Sequence, residues 1–339
     1  MLRFPMLSSM SYGGETLSSP FDYDPGTEVI GADLLIRTEN AVFTDDGRYF
    51  VAGEHSDPKR GWGIYEVKKS ESGYGLEQII HGLLEVDSSK PSYPCLFTGL
   101  TTNGRHLFAT AAVHLEGNIR KTDFGALFRI LPGEGQPEVA IAHYQPSDVH
   151  AFNGMAVGPD GSLYMSDEFA FPNGSNVAIY KVSIIDPDDF TIRITPWLAA
   201  SLLRDILPNG IQIKDQTMYY VSGKGLFSID ISRPEPGVPI PIYLSMIPNN
   251  LLDDLAILPD GRVAVGEIDA LMNMIGFHGW GINQIVTVDP SAVLLNRQVT
   301  LTSPYTVSSL AFAQRDLFTD DKLITTSWFH GGLREIGLP

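Results

Sequence analysis

Four residues of this 339-residue chain have the types and spacing to act together on one hard cation: Glu39, Asn153, Asn209 and Asp253. Each opens a run in which apolar and polar residues alternate. Glu39–Gly53 reads ENAVFTDDGRYFVAG, Asn153–Glu168 NGMAVGPDGSLYMSDE, Asn209–Gly223 NGIQIKDQTMYYVSG and Asp253–Gly266 DDLAILPDGRVAVG. Two carboxylates and two carboxamides offer oxygen without excess charge, and they leave room for water or substrate. Calcium takes six to eight such oxygens. No cysteine pair and no HExxH run favours zinc. Taken singly, each of the four is better explained as a turn residue that bonds its own backbone. At matched positions of a repeat they form a set.

That repeat determines what must position them. Alternation with period 2 marks a strand, and Asp-Gly between two such runs marks a hairpin. Gly47, Gly161 and Gly261 each stand eight residues after the leading residue of their unit. Thr98–Thr110 (TGLTTNGRHLFAT) and Ser308–Thr326 (SSLAFAQRDLFTDDKLITT) are looser copies. The six leading residues, Glu39, Thr98, Asn153, Asn209, Asp253 and Ser308, are spaced by 59, 55, 56, 44 and 55. Six units of this length predict an all-β six-bladed β-propeller of four-stranded blades, in which the leading residues point to one tunnel mouth. A two-sheet sandwich or a pair of β domains is the competing architecture. The runs GIYEVKK, GALFRIL, VAIYKVSII, GLFSIDI, QIVTVD and GGLREIGL are expected to supply third and fourth strands. The last unit is a strand short, and Val29–Ile36, the expected first strand, would complete it. The ring is then closed by strands from both termini, which removes an open edge. Residues 1–28 read as an irregular lead-in and 29–339 as one propeller. Short helices are expected at Ala199–Leu207 and Ile268–Met274.

Composition narrows the partners. Lys and Arg number 23 against 40 Asp and Glu, a net charge of −17 that repels phosphate backbones and anionic membranes. The expected partner is a small-molecule substrate, with no nucleic acid and no membrane; oligomeric state is not legible. No apolar run reaches the roughly 18 residues of a membrane span. Cys95 is the one cysteine, so no internal disulfide argues for secretion. The start, MLRFPMLSSMSYGG, has a short apolar run broken by Pro5 and no persuasive cleavage site. A cytoplasmic location is expected over secretion, in which case the Asn173-Gly174-Ser175 sequon has no role.

The six units resemble the senescence marker protein/gluconolactonase superfamily, with paraoxonases and diisopropyl fluorophosphatase as more distant relatives. The resemblance covers about residues 30 to 339. It is carried by Glu39 in TENAVF, Asn153 in FNGMAV, Asn209 in PNGIQI and Asp253 in LDDLAI. It implies a six-bladed propeller with a catalytic calcium at the tunnel mouth, other divalent cations being possible, and these four residues as ligands. It further implies that Asp253 doubles as general base for water. Paraoxonase-like members carry Asp-Asn where this chain has Asp253-Asp254, which makes Asp254 a possible further ligand. Paraoxonases also carry a His in a Pro-His-Gly context in blade two. Here Pro94 is followed by Cys95, so a paraoxonase-type histidine dyad is not supported, and His114 matches its second member only loosely.

Weaker candidates surround these. Asp167 and Glu168 end the second strand of the third unit and are either near the substrate or plain surface. Trp62, Phe277 and Trp280 lie in aromatic, glycine-rich loops that would wall a pocket, or simply pack. His150, His278 and His330 read as loop or packing histidines, and Cys95 as a small buried residue. No GxSxG elbow, P-loop or dinucleotide fingerprint is present.

The expected activity is calcium-dependent hydrolysis of a lactone or related ester, with phosphotriesters as neighbouring substrates. A strictosidine synthase-like condensing enzyme or an isomerase on the same scaffold is the alternative enzyme. A propeller that only binds a ligand is the third reading, because fold alone does not fix function.

Overall fold

A computed structural model describes residues 26–339, apart from 87–88, 90, 115–122, 145–151, 169–176, 201–206, 248–249, 270–282, 292–296, 304–305, 314–316, 319–320 and 338–339. The chain opens with β1 (Thr27–Ile30). Blade one follows as β2 (Leu35–Phe43), β3 (Tyr49–His55), β4 (Trp62–Ser70) and β5 (Gly73–His81). A small ribbon, β6 (Leu83–Leu84) and β7 (Tyr93–Pro94), leads to blade two: β8 (Leu96–Thr102), β9 (Leu107–Val113), β10 (Phe124–Leu131) and β11 (Glu138–Tyr144). Blade three is β12 (Phe152–Val157), β13 (Leu163–Asp167), β14 (Val177–Asp186) and β15 (Thr191–Ala199). Blade four is β16 (Pro208–Lys214), β17 (Thr217–Ser222), β18 (Gly225–Asp230) and β19 (Ile240–Leu244). Blade five is β20 (Asn250–Ile257), β21 (Val263–Asp269), β22 (Asn283–Val288) and β23 (Arg297–Ser303). The last blade holds β24 (Ser309–Phe312), β25 (Lys322–Thr326) and β26 (Leu333–Gly337).

Each blade is a four-stranded antiparallel sheet, and the sixth takes β1 as its outer strand, in the order β1-β26-β25-β24. The inner strands β2, β8, β12, β16, β20 and β24 neighbour one another in a closed circle around the tunnel. The six-bladed propeller with closure from both ends is therefore the observed fold, and there is no helix among the described residues. Nor is any described helix long and apolar enough to cross a membrane.

Three expectations need correction. Val29–Ile36 is not one strand: a turn at Ala32–Leu34 divides it between β1 and β2, and β1 begins at Thr27. Ile268 and Asp269 belong to β21, and Ala199 to β15. The remainder of those two expected helices lies largely outside the described residues. The six apolar runs expected as third and fourth strands are all third strands. The fourth strands were less legible because half of their surface stays wet; β11, for instance, buries only one of its seven residues fully.

The hairpin turns form for the reason the sequence suggests. Gly161 and Gly261 hold φ of 78° and 90°, a region that disfavours side chains, and Asp160 and Asp260 accept bonds from the backbone N–H two residues on. In the fourth unit Asp215 takes this conformation instead, with φ of 55°. Core packing lies between blades. Phe50, Phe97 and Phe128 join blades one and two, while Ile211, Tyr220 and Phe227 pack with Trp197 between three and four. Each such side chain contributes about 1.5–3 kcal/mol of transfer free energy.

Candidate metal centre at the tunnel mouth

Each inner strand begins at the mouth and runs down the tunnel, so a residue near its start projects inward. Register breaks reinforce this placement. β2, β12, β16 and β20 each slip out of step with their partner strand across the leading residue. Such a bulge turns a side chain out of the sheet toward the tunnel.

Glycine sets the spacing between blades. A Cβ on Gly154 would lie 2.0 Å from the backbone oxygen of Asn209, and one on Gly210 would lie 2.1 Å from Asp254 Oδ1. The glycine after Asn153 and Asn209 lets the following blade's inner strand close up against it. Blades one and five carry Asn40 and Asp254 at that position. Asn40 Nδ2 donates to Thr98 O at 2.5 Å and to Asn153 Oδ1 at 3.4 Å. Asp254 bonds the Ser309 side chain and accepts from Leu310 N at 3.4 Å.

The four residues named first meet at the mouth as two amide–acid pairs. Asn153 Nδ2 donates to Glu39 Oε1 and to Glu168 Oε2, both at 3.2 Å. Asn209 Nδ2 donates to Asp253 Oδ1 at 2.6 Å. Glu39, Asn153 and Asn209 are buried, whereas Asp253 keeps part of its surface open to the mouth. Backbone bonds clamp the ring, since Thr326 Oγ1 donates to Glu39 O at 2.7 Å.

Burial, followed by the crowding of acids, dominates the electrostatics. Burial, then the nearby Glu168 charge, pushes the Glu39 carboxyl up to about 8. Burial, followed by Glu39, Glu168 and Asp254, holds the Asp253 carboxyl well above the usual range. Glu168 is raised by burial, and Asp254 is pushed up to about 6 for the same reason. Like charges out of water must be relieved by a proton or by a cation. Among the described residues no three His, Cys, Asp or Glu side chains could hold a metal ion by themselves. An oxygen site here therefore depends on the two carboxamides, whose nitrogens now face the acids. A half-turn of an amide exchanges its nitrogen for its oxygen, so the set of two acids and two amides fits calcium chemistry.

The weaker candidates separate. Glu168 joins the ring through Asn153. Asp167 is fully buried, and its charge adds to the rise of the Glu168 carboxyl. Asp254 is turned to the sixth blade and lines a cavity of about 110 Å³ below the ring with Asn40, Thr101, Thr102 and Gln212. His114 stands half-buried one residue past β9. Trp62 opens β4 and its ring lies 5.3 Å from that of Trp328. His330 is bound to Thr306 and Ser327, a packing role. Cys95 is buried and its thiol is pushed up to about 12, which leaves it unreactive. Trp280, Phe277, His150, His278 and the sequon at Asn173 lie outside the described residues. Sequence reasoning missed Asn40 and Trp328. Asn40 was legible as the second polar residue of its unit; Trp328 carried no periodic signal.

No protein-family model and no curated protein sequence matches the chain. Among solved structures it is similar to regucalcin, a calcium-binding protein from Agrobacterium tumefaciens. Identity there is 15%, the TM-score is 0.56, and the match covers 95% of this chain and 96% of that one. It is also similar to a gluconolactonase from Xanthomonas campestris, with 14% identity, a TM-score of 0.55 and coverage of 94% and 97%. A third similar structure is a putative oxidoreductase (glucose dehydrogenase) from Thermus thermophilus, with 14% identity, a TM-score of 0.54 and coverage of 91% and 98%. At these identities the likeness is one of fold.

Proposed function

We propose that this chain is a calcium-dependent hydrolase of a lactone or related ester. The observation that carries the reading is the convergence of Glu39, Asn153, Asn209 and Asp253 from four blades on one mouth, with two acids held in unfavourable proximity. The similarity in fold to a gluconolactonase and to regucalcin supports it.

Glu39, Asn153, Asn209 and Asp253 would hold the cation. When bound, calcium would polarise the substrate carbonyl and stabilise the oxyanion that forms on attack. Of these four, Asp253 is the one whose side chain is not buried. It would accept a proton from the attacking water as the new carbon–oxygen bond forms, and return it to the departing alcohol oxygen. Asn209, hydrogen-bonded to Asp253, would fix the orientation of that carboxylate. Glu168 and Asn153 hold the opposite wall.

The test is metal content with thermal melting before and after chelation, then assay of Asp253→Ala against a panel of lactones. About one calcium per chain, a melt that falls on chelation and recovers with calcium, and loss of turnover in the variant are expected. Absence of bound metal together with an unchanged melt would sink the reading and favour a condensing enzyme or a ligand-binding propeller.

A further inference from the structure

Beside Glu39 on β2, Arg37 stands on an aromatic base. Arg37 precedes Glu39 by two residues of β2, about 6.6 Å along an extended strand. Arg37, Glu54 and Trp62 form one row across blade one, Arg37 opposite Glu54 and Glu54 opposite Trp62. From the sixth blade Trp328 meets this row. Arg37 Cζ lies 5.8 Å from the Trp328 ring centre, and the Trp62 and Trp328 rings are tilted by 34°. The seam that presents them is rigid. Thr38 Oγ1 donates to Ser327 O at 3.1 Å and accepts from Ser327 N at 2.7 Å, and Trp328 N donates to Ser308 Oγ at 2.7 Å.

We infer that Arg37, seated on Trp328, recognises a carboxylate on the substrate, so that the preferred ester or lactone is an anionic one; this rests on the hydrolase reading above. Three observations lead there. The guanidinium is half exposed, and its one ion contact, Nη1 to Glu54 Oε2 at 3.2 Å, is not aligned as a hydrogen bond, since that oxygen has no hydrogen-bond partner. The part of its planar fork of N–H donors that does not face Glu54 is therefore open to a carboxylate, whose geometry it matches. The Trp328 face that would attract a cationic ligand is already taken by Arg37 itself. Finally, Arg37 is a local positive group beside the ring of acids, in a chain whose net charge of −17 repels anions at long range. Trp62 and Trp328 offer an apolar wall to the carbon skeleton next to that carboxylate.

The test is a tryptophan-fluorescence titration of the calcium-loaded full chain with phenylacetate and with its neutral analogue phenylacetamide. Wild type is expected to favour phenylacetate, and Arg37→Gln to weaken it by ~10- to 100-fold, the range of a charged hydrogen bond, while phenylacetamide is unchanged. Arg37→Lys should retain part of the preference, and Glu54→Gln, which frees the fork, should tighten phenylacetate. In turnover, Arg37→Gln should raise KM for carboxylated lactones more than for neutral ones. A wild type that does not distinguish the two ligands, or an Arg37→Gln that keeps the preference or weakens both equally, overturns the inference. Absence of lactone turnover in wild type would instead count against the hydrolase reading and leave the fluorescence result standing.

Discussion

A single amide group, that of Asn153, donates to two acids at once: Glu39 Oε1 and Glu168 Oε2 each lie 3.2 Å from its nitrogen. This amide keeps the two carboxyls from facing each other undefended. Asn153→Asp replaces the shared donor by another acid. The chelated protein is expected to lose about 2–3 kcal/mol, the worth of hydrogen bonds to charged groups, and calcium should restore part of that by neutralising the added charge. Melting temperatures with chelator and with calcium decide it; equal losses in both would show that Asn153 does not guard the acids.

The same crowding gives a pH dependence with a definite sign. Burial and Glu168 raise Glu39 from 4.5 to about 8, so its protonated form is the one the fold favours. Its contribution is fully present below the unfolded value and is lost as pH rises through about 8. In chelator the unfolding free energy should fall between pH 5 and pH 9, by on the order of a few kcal/mol. With saturating calcium the fall should flatten. A chelated protein more stable at pH 9 than at pH 6 would contradict the assignment.

Gly154 tests the spacing of the blades. Any Cβ there would lie 2.0 Å from Asn209 O and 2.8 Å from Gly210 Cα, both backbone atoms that cannot swing aside. Gly154→Ala is expected to destabilise by ~1–3 kcal/mol, the cost of forcing extra atoms into a packed site. It should also weaken calcium binding, because the strand it displaces carries Asn209. Calorimetric titration with calcium checks this, and an alanine variant with unaltered melting and affinity would show that the inner strands have slack.

The propeller was legible because its signals are local and repeated. The Asp160-Gly161 and Asp260-Gly261 turns and the apolar third strands each follow from neighbours in sequence, and six copies reinforce one another. The leading residues were legible for the same reason. Relations across blades were not. Nothing near Asp254 in sequence says that its carboxyl bonds Ser309 and Leu310, 55 and 56 residues away, rather than the mouth. Nothing near Trp328 says that it meets Trp62 and Arg37. Those contacts come from closing the ring, which brings the first and sixth units together.

That closure can be tested directly. β1 supplies the outer strand of the sixth blade, with Thr27 opposite Glu335 and Ile30 opposite Leu333, and Ile30 is buried with Leu35, Tyr49 and Leu333. A chain beginning at Gly31 would lose these bonds and expose β26 as an open edge, a template for pairing with other chains. Its melting temperature is expected to fall and its solution to contain higher oligomers at concentrations where the full chain does not. Gel filtration and melting would show this. Ile30→Ala keeps the backbone ladder while removing buried atoms, and should cost about 2–5 kcal/mol without oligomers. A truncated chain of unchanged size and stability would mean that β25 and β26 hold the last blade without β1.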